Sequence, residues 1–267
     1  MKRLYILACL SLLIACSGPK QVSSLPSSSN LVVSGKLWSS LFQQKAAEYK
    51  ALCIQAYNIA RFRLDEALKQ PSSKPRAVIT DIDETFLDNS PFAVHQALQG
   101  KDYEPAVWAE WTSKGAADTI PGALSFFNYA AANNVEVFYI TNRRESERQG
   151  TMENLKLFRF PFADDQHLVL RKDVSSKEPR RQQVAASHDI ILLLGDNLAD
   201  FSPLFDNKKS MDERAAIVKQ LADEFGKKFI VLPNTNYGGW EESLYGNNNG
   251  LTAMQKDSAV KANVKGF

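Results

Sequence analysis

The chain has 267 residues, of which 44% are hydrophobic and 23% are charged, a composition typical of one globular domain with an insertion. Lysine and arginine number 32 against 30 aspartate and glutamate residues, so the formal net charge is only +2. This near balance excludes bulk charge as a basis for binding a nucleic acid polymer.

Residues 1–15 have the pattern of an export signal: a basic start at 2–3 and an apolar run at 4–15 that is too short to span a bilayer. The tetrapeptide Leu-Ile-Ala-Cys that ends at Cys16 resembles the bacterial lipobox, which implies cleavage before Cys16 and lipid attachment to it. Ser17 is not acidic, which favours the outer membrane over retention at the inner membrane. We therefore predict a lipid-anchored protein outside the cytoplasm, with an ordinary secretory signal as the alternative.

Residues 16–36 are predicted to form the lipid anchor and a flexible tether, because they are rich in Ser and Pro and offer little to bury. Apolar residues then recur at helical spacing over 37–68, which predicts one long amphipathic helix at the start of a catalytic domain spanning 37–267. Cys53 lies in this helix and is most simply a small buried apolar residue.

Short apolar runs alternate with helical segments through the rest of the chain. Strands are predicted at 76–80, 135–140, 167–170, 189–194 and 229–232, and helices at 121–133, 144–158, 178–186 and 212–226. This alternation predicts an α/β fold, with a Rossmann-like, mostly parallel sheet covered by helices on both faces. Residues 86–119 have no clean period and are predicted to be a small, mainly helical cap inserted over the strand ends, whereas the polar stretch from residue 247 is expected to be peripheral.

Acidic residues are concentrated where two of these strands end. Asp81, Asp83 and Thr85 follow the run 77–79, and Asp196 and Asp200 follow the run that ends at residue 195. Ligands of open α/β sheets bind beyond the carboxyl ends of the strands, and carboxylates are suitable ligands for a hard cation. Two ionised carboxylates at such a short distance repel each other, so a metal ion or a shared proton must relieve the repulsion. The pattern favours a magnesium-dependent phosphoryl-transfer enzyme, although the first cluster alone could be a turn or a helix cap.

Four segments match, in order, the motifs of the haloacid dehalogenase-like superfamily. They are Asp81-x-Asp83-x-Thr85, Thr141-Asn142-Arg143, Lys177, and Gly195-Asp196-Asn197-x-x-Asp200. More narrowly, the segments 81–91, 195–201 and 232–240 resemble the class C acid phosphatases, which are bacterial, often lipid-anchored, nonspecific enzymes that include 5′-nucleotidases.

The resemblance implies a role for each matching residue. Asp81 is expected to be the nucleophile that forms an aspartyl-phosphate, and Asp83 the general acid and then the general base. Mg²⁺ is expected to be held by Asp81, the backbone carbonyl of Asp83, and Asp196. Asp200 is either a further carboxylate near the metal or a group that orients its waters, and a structural helix cap is a third option. Thr141 is expected to donate a hydrogen bond to a phosphoryl oxygen, and Lys177 to balance the charge of the aspartyl-phosphate.

Four further residues are candidates for substrate binding. The resemblance implies that Phe86 and Tyr237 offer aromatic faces to a base or another flat leaving group, with core packing as the alternative for both. Asn142 and Arg143 follow Thr141 and are expected near the substrate phosphate, although Arg143 could equally be a surface charge. His95 lies where an aromatic residue is expected in the family, which could alter the preference for the base.

These expectations together predict a Mg²⁺-dependent acid phosphatase with an acidic optimum. Its substrates are expected to be small phosphomonoesters, nucleoside 5′-monophosphates and aryl phosphates among them. A phosphotransferase that uses an alcohol acceptor and a catalytically silent, lipid-anchored binding protein are the alternatives. The sequence leaves the oligomeric state open, with a homodimer as one option.

Overall fold

A computed structural model describes residues 30–267 of the chain. The helices are α1 (Leu31–Lys45), α2 (Ala47–Leu68), α3 (Ser90–Leu98), α4 (Pro105–Ser113), α5 (Ala123–Ala132), α6 (Arg148–Leu157), α7 (Glu178–Ser187), α8 (Met211–Gln220), α9 (Gly239–Leu244) and α10 (Ala253–Asn263). The strands are β1 (Arg76–Thr80), β2 (Leu87–Asp88), β3 (Asp118–Thr119), β4 (Val135–Arg144), β5 (Leu168–Arg171), β6 (Asp189–Gly195) and β7 (Phe229–Val231).

Five strands form one parallel sheet in the order β5-β4-β1-β6-β7. Val78 of the central strand β1 pairs with Val137 on one side and Leu192 on the other, so the carboxyl ends of the strands meet at one edge. Successive side chains of a strand point to opposite faces. Val78 accordingly joins the core on the face covered by α2 and α5, whereas its neighbours Ala77 and Ile79 join the core on the face covered by α7. The predicted α/β fold with helices on both faces is confirmed.

The predicted helix over 37–68 is two helices, and this prediction was wrong in that respect. The first begins earlier, at Leu31, where the side chain of Asn30 accepts a hydrogen bond of 3.1 Å from the backbone N–H of Val33. The two helices are separated at Ala46, whose backbone is extended (ψ 131°). Helix α1 packs mainly on α3, whereas α2 packs on α5. The break at Ala46 allows the two helices to pack on these different elements. Helix α1 therefore includes residues 31–36, which were predicted to be the last part of the tether.

The insertion over 86–119 contains α3 and α4 enclosed by the short antiparallel pair β2 and β3, in which Leu87 pairs with Thr119. A polar anchor connects this insertion to α1, because Gln43 donates a hydrogen bond of 2.7 Å to Asp88. The structure thus shows a mainly helical cap next to the end of β1.

The predictions on residues 1–29, namely the export signal, the lipidated Cys16 and most of the tether, lie outside the described residues. Within residues 30–267, no helix combines the length and the apolar character needed to cross a membrane. Cys53 is fully buried as a free thiol, and burial raises its pKa to about 11, which fits a packing role.

Candidate active site

The acidic residues that follow β1 and β6 converge at the carboxyl edge of the sheet. The backbone N–H of Asp81 donates a hydrogen bond of 2.9 Å to Leu194, which joins the two strand ends. One carboxylate oxygen from each of Asp81, Asp196 and Asp200 lies within 4.8 Å of the others. The structure therefore brings together three of the four aspartates that the sequence assigned to one site.

Lys177 reaches this cluster from the residue that precedes α7. Its ammonium group forms ion pairs with Asp81 and, at 2.6 Å, with Asp200, and the side chain is only 6% exposed. Burial disfavours the charged form of Lys177, but the attraction of the two carboxylates outweighs it and raises the pKa of the lysine. Lys177 is therefore held as a cation beside the predicted nucleophile.

One ammonium does not balance the negative charge of this cluster. Burial raises the pKa of Asp81 to about 7 even though Lys177 acts to lower it. Burial, Asp200 and Asp81 together hold the pKa of Asp196 well above its usual range. Asp196 otherwise accepts hydrogen bonds from the Asn234 amide at 2.7 Å and from Thr85 at 3.4 Å. This excess of buried carboxylate oxygens fits a divalent cation, because Mg²⁺ prefers oxygen ligands.

Asp200 has both carboxylate oxygens engaged. One pairs with Lys177, and the other accepts a hydrogen bond of 3.0 Å from the backbone N–H of Asn197 at the start of a short 3₁₀ turn. These contacts favour an orienting role for Asp200 and show that it also caps the turn. A Cβ atom on Gly195 would lie 2.5 Å from the side chain of Asp200, so the close approach of Asp200 to β6 requires glycine at that position.

Asp83 is not part of this cluster of carboxylate oxygens and is bound by Arg143. The guanidinium donates to one oxygen of Asp83 at 2.7 and 3.0 Å and to the other at 3.3 Å. The Arg143 side chain is 1% exposed, which excludes the surface-charge alternative, whereas its contact with a substrate phosphate stays a prediction. Asn89 of the cap donates a further hydrogen bond of 2.9 Å to Asp83.

The end of β4 places Thr141 and Asn142 beside the site. Thr141 is fully buried, and its hydroxyl oxygen accepts a hydrogen bond of 3.1 Å from the backbone N–H of Arg143, while the hydroxyl donates to no group of residues 30–267. Arg180 of α7 fixes the segment, because its guanidinium donates to the carbonyl of Thr141 and, at 2.8 Å, to the side chain of Asn142. Arg180 was not predicted from the sequence, since its helical neighbours give no sign that its side chain is buried.

The two predicted aromatic residues lie in different environments. Phe86 is fully buried and packs against the core residues Phe127, Tyr139 and Phe160. Its ring offers no face to a substrate, so core packing, the alternative considered for it, is what the structure shows. Tyr237 is 37% exposed and lines a pocket of about 670 Å³.

This pocket lies between the cap and the strand ends. Its walls include Asp83, Asn142 and Tyr237, and the cap adds the aromatic side chains of Tyr103 and Trp108. His95 is exposed and is not among the described residues that line the pocket. The aromatic surface that the cap adds to the pocket therefore comes from Tyr103 and Trp108 and not from position 95.

Glu84 is a further buried acid, which was not predicted from the sequence to belong to the site. It is 1% exposed, accepts a hydrogen bond of 2.9 Å from the backbone N–H of Asn89, and is hydrogen-bonded by the Tyr237 hydroxyl. Burial and the charge of Asp83 raise the pKa of Glu84 to about 8. Its signal in the sequence was its position inside the first acidic motif.

A protein-family model matches residues 28–240. It describes subfamily IIIB, the acid phosphatases, of the haloacid dehalogenase superfamily. The chain belongs to this family. Among solved structures, this chain is similar to the class C acid phosphatase from Bacillus anthracis. The two have 37% sequence identity and a TM-score of 0.85, and the match covers 89% of this chain and 99% of the Bacillus anthracis chain. A second structure of the Bacillus anthracis enzyme, with tungstate bound, gives the same values. The resemblance to class C acid phosphatases is thereby confirmed.

Two curated plant proteins are also similar to this chain. The stem 31 kDa glycoprotein of Glycine max is 24% identical over 128 residues, and acid phosphatase 1 of Solanum lycopersicum is 29% identical over 93 residues. The matches span 46% and 35% of this chain, and 50% and 36% of those relatives. The chain thus matches half or less of the length of the curated relatives.

Proposed function

We propose that this chain is a Mg²⁺-dependent acid phosphatase that hydrolyses phosphomonoesters through an aspartyl-phosphate on Asp81. The observation that supports this most directly is the position of the Asp81 carboxylate. It lies at the carboxyl edge of the sheet between a buried ammonium, Lys177, and two further carboxylates, Asp196 and Asp200. A similar class C acid phosphatase has been solved with tungstate, which is a tetrahedral oxyanion like phosphate.

The Mg²⁺ ion would be held by Asp81, Asp196 and the backbone carbonyl of Asp83. Asp200 would orient the water molecules around the ion. When bound, the ion would neutralise phosphate charge and allow two anions to meet. In the first step, an oxygen of Asp81 forms a bond to phosphorus while the bond to the leaving oxygen breaks. That oxygen keeps the electron pair and takes a proton from Asp83.

In the second step, water attacks phosphorus, loses a proton to Asp83, and frees Asp81 as a carboxylate. Lys177 stays next to Asp81 throughout and stabilises the anionic oxygens around it. The hydroxyl of Thr141 would donate to a phosphoryl oxygen. Because the first step needs Asp83 in its acid form, we expect an acidic optimum.

The pocket supports substrates with a flat leaving group. Tyr237, Tyr103 and Trp108 offer aromatic surface in a space of about 670 Å³, and stacking tolerates different bases because each has a π-face. We therefore propose nucleoside 5′-monophosphates and aryl phosphates as substrates.

We further propose that the protein is attached to a membrane outside the cytoplasm by lipid on Cys16. The support is the lipobox-like tetrapeptide that ends at Cys16. Replacing Cys16 with Ser should move the protein from the membrane fraction to the soluble fraction, and retention in the membrane would contradict lipid anchoring.

Phosphate release from a panel of nucleotides and aryl phosphates tests the catalytic proposal. The chain from residue 17 onward would be assayed with Mg²⁺ and with a chelator, beside Asp81→Asn and the control Asp189→Asn. Asp189 is an exposed residue at the opposite end of β6, so its substitution should leave activity intact. Activity that survives Asp81→Asn, or that stays flat from about pH 5 to pH 8, would contradict the proposed mechanism.

A further inference from the structure

The contacts of Asp83 make its two carboxylate oxygens unequal. Oδ1 accepts hydrogen bonds from Nη2 and Nε of Arg143 and from the Asn89 amide, at 2.7, 3.0 and 2.9 Å. Among the described residues, Oδ2 has only a longer contact of 3.3 Å to Nε of Arg143. An oxygen that already accepts three N–H groups has no room for a proton of its own.

We propose that Arg143 and Asn89 are positioning residues that orient Asp83 so that Oδ2 alone carries the proton transferred to the leaving group. The inference rests on the proposed function and deepens it, because it assigns the acid chemistry to one atom. The P–O bond to the leaving group breaks as the bond from Asp81 to phosphorus forms, and the electron pair stays on the leaving oxygen. That oxygen takes the proton from Oδ2, and Asp83 is left as a carboxylate held by the guanidinium.

Arg143 is itself fixed on a second side. Its Nη1 donates a hydrogen bond of 2.9 Å to the hydroxyl of Thr151, which in turn donates one of 2.7 Å to the carbonyl of Glu147. The guanidinium also lies 5.8 Å from the centre of the Trp108 ring. A side chain that is 1% exposed and held at both ends can keep a carboxyl group in one orientation.

Trp111 of the cap determines which way the Asn89 amide points. Its indole N–H, a donor only, gives a hydrogen bond of 2.8 Å to Asn89, so the atom of Asn89 that it meets must be the oxygen. The NH₂ group then faces Asp83. The orientation of the general acid therefore depends on the cap as well as on β4.

Leaving groups that differ in basicity separate positioning from folding. An alkoxide needs a proton to depart, whereas dinitrophenolate leaves readily without one. The experiment measures kcat/KM, which reports the steps through phosphorylation of Asp81, for 2,4-dinitrophenyl, p-nitrophenyl, phenyl and glycerol phosphates. The variants are Arg143→Met and Trp111→Phe, and the control Arg148→Met removes an arginine that pairs with Glu145 and Asp165 outside the pocket.

For Arg143→Met we expect a loss of about 100-fold on glycerol phosphate and of less than about 10-fold on dinitrophenyl phosphate, as for an impaired general acid. Trp111→Phe should show the same dependence with a smaller loss, and Arg148→Met should show none.

Equal losses across the series for Arg143→Met would overturn the inference. If that variant does not fold, a flat series for Trp111→Phe overturns it instead. A wild-type chain inactive on all four esters would refute the proposed function and this inference with it, whereas an active wild type with flat variants refutes the inference alone.

Discussion

Replacement of Asp102 by Asn should destabilise the protein in a way that depends on pH. Asp102 lies between α3 and α4 and pairs with Lys36 of α1 and Lys256 of α10, both at 2.7 Å. Burial acts to raise the pKa of Asp102, but the two ammonium groups outweigh it and lower the pKa from 3.8 to about 2.

The size of the effect follows from this shift. At 1.36 kcal/mol per pKa unit, the difference corresponds to roughly 2.5 kcal/mol, which we reduce to about 1–2 kcal/mol because solvent screens the partly exposed groups. A carboxyl group whose pKa is lower in the folded state contributes stability above its unfolded pKa and loses it as the pH falls through the folded value. The contribution of Asp102 should therefore be complete at neutral pH and disappear between about pH 4 and pH 2.

Urea denaturation of the wild type and of Asp102→Asn at about pH 7 and about pH 2.5 measures this difference. The control is Glu110→Gln, since Glu110 pairs with Lys114 on the surface, and surface pairs contribute little. We expect Asp102→Asn to lower the free energy of unfolding by about 1–2 kcal/mol at neutral pH and by much less in acid. An equal loss at both pH values would refute the reasoning, because it would mean that packing and not charge stabilises this junction.

Three other substitutions test the acidic cluster. Lys177→Met should lower the free energy of unfolding at neutral pH by about 3–5 kcal/mol, because it leaves Asp81 and Asp200 buried without their cation, and a urea midpoint equal to that of the wild type would contradict the pairing. Asp196→Asn should weaken Mg²⁺ binding at least ~10-fold in calorimetric titration, and unchanged binding would exclude Asp196 as a ligand. Gly195→Ala should destabilise the protein by about 1–3 kcal/mol and reduce phosphatase activity, because its Cβ displaces Asp200, and normal activity would show that Asp200 can move without consequence.

The sequence predicted those parts of the site that depend on strand ends. Apolar runs followed by acidic residues placed Asp81 and Asp196 at one edge, and the parallel sheet brought them together. Lys177 was predicted through the family motif alone, since its spacing carries no local signal. Its ion pair with Asp81 depends on where α7 begins relative to β1, which is a tertiary property.

The differences between prediction and structure arise where packing outweighs local pattern. Ala46 is a good helix former in a helical context, yet it is extended because α1 and α2 pack on different elements. The sequence left open that Arg143 is a surface charge, whereas the structure buries it against the carboxylate of Asp83. Phe86 could face either a substrate or the core, and only the positions of its aromatic neighbours decide between them.

The polar stretch from residue 247, which was expected to be peripheral, contains α10, and this helix packs against α1 at the other end of the described chain. One carboxylate oxygen of Asp257 accepts the backbone N–H groups of Leu31 and Val32, at 2.9 and 3.4 Å. The two ends of the described chain are thereby joined at one place on the surface. Removing α10 would consequently take away the carboxylate that accepts the first N–H groups of α1, so truncation at the C-terminal end should destabilise the start of the described chain.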